Sequence, residues 1–137
     1  MDNDFWGEVI YAYTRKQAID DGMLIDVTKT AKEAGFHDST VITAALYERL
    51  QCTKKEKSEG QSYEGRLWDV LFVGITKVRA YVTARKPRGP FRLDVTITVR
   101  EEQGNGKVKP VLMDYCVDFN LGDEGELVIT IGFAGDF

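Results

Sequence analysis

Cys52, Cys116 and His37 are the only thiols and the only imidazole in the chain, and they bound the chemistry open to it. One histidine excludes a zinc centre built from several imidazoles. Neither cysteine has the Cys or His neighbours of a structural zinc site, and there is no C-x-x-C, so free thiols in a reducing compartment are expected. Cys–His catalysis would need His37 beside Cys52, at a predicted helix end, or beside Cys116, inside a predicted strand. The nucleophile elbow G-x-S-x-G, the phosphate loop G-x-x-x-x-G-K-[ST] and a G-x-G-x-x-G opening a helix are all missing. Gly104-Asn-Gly106 joins two strands instead. Acid–base work by two carboxylates has no distinctive spacing to mark it among 22 Asp and Glu. The expectation is a protein without catalytic residues, metal or cofactor.

Three groups of polar side chains remain. Arg66 and Asp69 stand three apart, the spacing of a surface ion pair worth roughly 0.2–0.5 kcal/mol. Turned inward with Asp26, they would form a polar network tying the preceding loop to the body. Trp68 between them is expected to pack on the N-terminal helix or on Phe5 and Trp6. Asp123 and Glu124, with Asp118 nearby, carry the oxygen ligands a divalent cation prefers, although Gly122-Asp-Glu-Gly125 also reads simply as a turn. Lys77, Arg79, Arg85, Lys86, Arg88 and Arg92 form a basic stretch with Tyr81 and Phe91 among them. That composition suits single-stranded nucleic acid, and equally a solvated helix end.

These groups sit in a chain of ordinary globular composition. Its 137 residues, 43% hydrophobic and 29% charged, make one domain against a prior of about 150 residues each. Eighteen Lys and Arg against 22 Asp and Glu give a net charge of −4, which disfavours nucleic-acid binding through bulk charge. The opening MDNDFWGEV lacks the basic and apolar regions of a secretory signal. The apolar stretch 70–82 is interrupted by Thr76, Lys77 and Arg79, far short of the roughly 20 apolar residues of a membrane span. A cytoplasmic protein is expected.

The elements that must position the groups follow from periodicity and caps. Thr14 and Gln17 form a capping box for a short helix ending at Gly22. Residues 23–27 read as extended. A second helix over 29–34 is capped by Asp26 or Thr28 and ends at Gly35, and a third runs from a cap at Asp38 or Ser39 to Leu50. Residues 53–62 contain no apolar side chain and read as a solvated loop. From Glu64, Leu67, Leu71, Ile75, Val78 and Val82 recur at helical spacing, widened by Trp68 and Phe72. Beyond Pro87 and Pro90 the period becomes two. Phe91, Leu93, Val95, Ile97 and Val99 alternate with polar residues, and Val111, Met113, Tyr115, Val117 and Phe119 repeat the pattern. A third strand covers 127–133. The predicted class is α+β: four helices over 1–86 packed on one face of a three-stranded antiparallel meander over 91–134.

Two resemblances bear on function. Ala31-Lys-Glu-Ala-Gly35 followed by Ser39-Thr-Val41 resembles the helix-turn-helix of bacterial repressors. The residues 39–50 offer base edges only Ser39, Thr40 and Thr43 near their start, so a scaffolding hairpin is favoured over a DNA reader. More widely, Phe5-Trp-Gly-Glu-Val-Ile10, Tyr13-Thr-Arg15, AIDDG at 18–22, Asp26-Val-Thr28, Ala34-Gly-Phe36, Gly65-Arg-Leu-Trp-Asp-Val-Leu71 and Gly122-Asp-Glu-Gly-Glu-Leu-Val-Ile-Thr-Ile131 resemble a family of small uncharacterised bacterial proteins. Members of that family are often encoded on plasmids, phages and other mobile elements. The resemblance implies an accessory protein, which together with the missing catalytic motifs points to binding of a macromolecule, a protein in the first place. Nucleic acid, gripped by 31–50 or by 77–92, is the alternative.

Overall fold

The computed structural model describes residues 13–137. Thr14 caps α1 (Arg15–Asp20) with both bonds of the capping box, and Gly22 follows at φ +76°. The chain then runs β1 (Leu24–Asp26), α2 (Thr28–Ala34), β2 (Ser39–Thr43) and α3 (Ala44–Leu50). Next come α4 (Lys54–Ser58) and the long α5 (Tyr63–Arg85), then β3 (Phe91–Glu102), β4 (Val108–Leu121), β5 (Leu127–Gly132) and a closing 3-10 turn at Ala134–Asp136.

The five strands form one mixed sheet in the order β1-β2-β5-β4-β3, with β2 and β5 parallel and the other pairs antiparallel. This corrects the expected three-stranded antiparallel meander under four helices: the described residues hold five strands and five α-helices. The meander exists, but it is only one side of the sheet. Of the two further strands, β1 falls in the stretch read as extended, and β2 came from 39–43, which the helix-turn-helix resemblance and a cap at Ser39 assign to a helix. Thr40, Val41, Ile42 and Thr43 are four β-branched residues in succession, stiff at χ1 and suited to a pleated sheet. They are buried on both faces, and β2 lies between β1 and β5. The cap is instead Thr43, whose hydroxyl accepts from the Leu46 N–H at 3.3 Å and donates to Asp136 at 2.7 Å. Residues 31–50 are therefore helix, strand, helix, and no helix-turn-helix is present.

The 53–62 stretch is likewise not a plain loop. Thr53 and Glu56 close a capping box around α4, a Thr-x-x-Glu pattern that stands in the sequence. Glu56 is buried, 4% exposed.

On β3 and β4 the alternation holds. Val95, Ile97, Met113, Tyr115 and Val117 join Leu67, Val70, Leu71, Ile75 and Val78 of α5 in one core. Tyr115 donates its buried hydroxyl to the Val70 carbonyl at 2.6 Å, and burial pushes its pKa up. The opposite face is not wholly wet. Arg15 crosses it to bond Thr130 Oγ1 and the Ile129 carbonyl, both at 2.7 Å. Cys116 is buried there near Ala134. Both thiols are free, and among the described residues no helix is long and apolar enough to cross a membrane.

Candidate interaction site

The helix α5 divides the sequence-derived candidates between two flanks. On the β3 side, Arg66 is 3% exposed and anchors the fold. Its guanidinium donates to the Gln51 carbonyl at 3.0 Å and the Arg100 carbonyl at 2.6 Å, and pairs with Glu56 at 3.1 Å. Burial opposes the Glu56 charge. The Glu102 and Thr53 N–H groups and Arg66 outweigh it and hold the carboxyl below its ordinary pKa. Arg66 thus ties 53–62 to the body as expected, but through Glu56 rather than through Asp69 or Asp26. Asp69 is exposed. Asp26 accepts from the Thr28 N–H at 2.9 Å and from its hydroxyl at 2.6 Å, opening α2. The three residues form no network. Lys77, on the same flank, donates to the Asp94 carbonyl of β3.

The other flank is apolar and open. Trp68, Phe72, Ile75 and Arg79 follow one another at helical spacing and so share a face. Trp68 is 39% and Phe72 52% exposed, their rings stacked at 6.2 Å. Trp68, expected to pack on the N-terminal helix or on Phe5 and Trp6, stands on the wheel beyond the buried stripe. Phe5 and Trp6, its other expected partners, lie outside the described residues. Further along the face opens a cleft of about 270 Å³. Phe36, Ile75, Val78, Val82, Phe119 and Ile129 make its apolar lining, and His37, Asp38, Arg79 and Thr83 complete it. Gly35 shapes its mouth. It ends α2 at φ +121°, and a Cβ there would collide with the Arg79 guanidinium, so the missing side chain lets Arg79 lie against the backbone.

The basic stretch does not gather into one patch. Lys77 and Arg79 occupy opposite flanks, and Arg85, Lys86 and Arg88 are exposed at the end of α5. Arg92 pairs with Asp118 at 3.2 Å and lies 4.2 Å from the centre of the Phe137 ring. Its aromatic neighbours are turned inward: Tyr81 stacks on Phe91 at 5.0 Å, and Phe91 on Phe119 at 4.7 Å. Asp123 accepts from the Arg15 and Lys16 N–H groups at 2.9 and 3.2 Å, an anion at the start of α1. Glu124 is exposed, its N–H bonded to Glu126 at 2.9 Å. Among the described residues no cluster of three or more His, Cys, Asp or Glu could hold a metal ion.

Sequence reasoning missed Glu56, which the capping-box pattern would have flagged. It also missed the cleft, which joins Phe36, Val82 and Ile129 from three separate segments and leaves no local signal.

The architecture is an α+β domain with a mixed five-stranded sheet, whose long helix presents aromatic side chains beside an apolar cleft. Residues 1–136 match the family of unknown function DUF6573, and the chain belongs to that family. No curated protein and no solved structure matches it.

Proposed function

We propose that this chain is a non-enzymatic accessory protein of bacterial mobile elements that works by binding another protein through the Trp68–Phe72–cleft face of α5. The observation that carries the binding role is the stacked Trp68–Phe72 pair, exposed on the helix face that leads into the cleft. Aromatic residues in water cost free energy that a partner's apolar surface recovers, and Trp and Arg recur among residues that dominate interfaces. The bacterial and mobile-element setting rests on the resemblance of the sequence blocks alone.

The test compares capture of host proteins by the wild-type chain and by the Trp68→Ala/Phe72→Ala variant. A specific partner retained by the first and lost by the second, with unchanged melting, is the expected result. Gel shifts on single- and double-stranded DNA run alongside at low and physiological salt. Binding at physiological salt that disappears on changing Arg85, Lys86 and Arg88 to Ala would replace this reading with nucleic-acid recognition.

A further inference from the structure

The two edges of the sheet are built differently. The β1 edge is three residues long, whereas β3 is a twelve-residue edge strand paired with β4 along its full length, without proline or bulge. A long regular edge is a template for another strand unless it is blocked. The outward-facing groups of β3 belong to its even-numbered residues. The Asp94 carbonyl takes Lys77, the Arg100 carbonyl takes Arg66, and the Glu102 N–H donates to Glu56. Between them, among the described residues, the N–H and C=O of Thr96 and Thr98 meet no hydrogen-bonding side chain and no flanking strand.

The side chains beside this gap are symmetric in position and opposite in charge about Ile97: Arg92, Asp94, Thr96, Ile97, Thr98, Arg100, Glu102. Antiparallel pairing of two such strands about a two-fold axis at Ile97 sets Thr96 against Thr98, Asp94 against Arg100, and Arg92 against Glu102. Every cross-strand charge pair is then of opposite sign. Slipping by one ladder step in either direction brings Arg92 against Arg100, or Asp94 against Glu102. In the centred register Thr96 and Thr98 of each chain exchange four ladder hydrogen bonds, and Asp94 and Arg100 of each copy flank them. Arg92 is held by an ion pair with Asp118, and Glu102 by the Thr53 hydroxyl at 2.8 Å. Among the described residues the Asp94 carboxylate accepts only from the Cys116 thiol at 3.3 Å and the Arg100 side chain makes only a 3.4 Å bond to the Val108 carbonyl, so Asp94 and Arg100 carry the recognition. The β3 flank of α5 follows the same logic. Asp69, Val73 and Lys77 form an i, i+4, i+8 row, and reversing that row sets Asp69 against Lys77.

We infer that the β3 edge receives a second copy of this chain, joining two sheets into one ten-stranded sheet in the Ile97-centred register. This surface is separate from the Trp68–Phe72 face, and the two readings stand or fall independently.

Sedimentation equilibrium of the full chain over a concentration series tests it. The wild-type chain is expected to form a dimer that weakens with salt. Arg100→Glu and Asp94→Arg each set like charges opposite one another twice per dimer and should weaken it about tenfold. Mixing those two variants restores both pairs and should recover a heterodimer. Thr98→Pro removes an outward N–H without touching the β4 ladder, and should abolish the dimer with an unchanged circular dichroism spectrum. A wild-type chain that stays monomeric at every accessible concentration would overturn the inference. So would a dimer indifferent to the charge reversals, or a mixture no tighter than either variant alone.

Discussion

The two flanks of α5 are made of similar residue types and serve opposite ends. On the β3 side, Arg66 and Lys77 are fastened to strand backbone, and the apolar residues beneath, Val95 among them, are buried. On the α2 side, Trp68 and Phe72 face water and Arg79 lies along the mouth of the cleft. The difference teaches that residue type does not separate scaffold from surface here. Arg66 and Lys77 hold the fold, and Trp68 and Phe72 on the same helix are available for contact.

That contrast can be broken in four ways. Val95→Asp buries a carboxylate under α5 with no partner and should unfold the domain, whereas Thr96→Asp on the outward face sets a charge against Asp114 and should cost about 1 kcal/mol at most. Equal effects in thermal melts would contradict the face assignment. Glu56→Ala leaves the Arg66 guanidinium buried and uncompensated and should cost about 3–5 kcal/mol in denaturant unfolding.

Its pH dependence follows from the same contacts. The folded-state pKa of Glu56 is depressed, so its contribution is fully present above the ordinary carboxylate value and is lost as pH falls through the folded one. Stability measured from neutral pH downward should fall less steeply in Glu56→Ala than in the wild-type chain.

Gly35→Ala forces a side chain into a left-handed conformation and displaces Arg79, and should cost about 1–3 kcal/mol in a thermal melt. Trp68→Ala should be the smallest. Losing the exposed stack on Phe72 costs about 1 kcal/mol, against the 3–5 kcal/mol of a truncated core aromatic. A core-sized loss would return Trp68 to the scaffold.

The legible parts of the fold were those where a local pattern admits one reading. The alternation along 91–99 places Leu93, Val95, Ile97 and Val99 inside whatever covers them. The capping box at Thr14 and the helical stripe from Leu67 to Val78 are equally local, and both elements form. Where two local signals competed, the structure was needed. Ser39 looked like a helix cap and the residues after it like the start of a helix, while four β-branched residues favoured a strand. The empty place between β1 and β5 decided it, because a strand there satisfies ladder hydrogen bonds on both sides.

The candidate site divides in the same way. The sequence by itself determined that Arg66, Trp68 and Asp69 begin one long helix, since the spacing of apolar residues requires only neighbours along the chain. Which of the three would be buried depended on residues far away. Glu56 and the carbonyls of Gln51 and Arg100 drew Arg66 inward, because a guanidinium enters a core only where acceptors meet its donors. Among the described residues no comparable partner draws in Asp69, and Trp68 lies beyond the stripe that the sheet covers. Burial and bonding are properties of what surrounds a side chain, and only the tertiary structure supplies that.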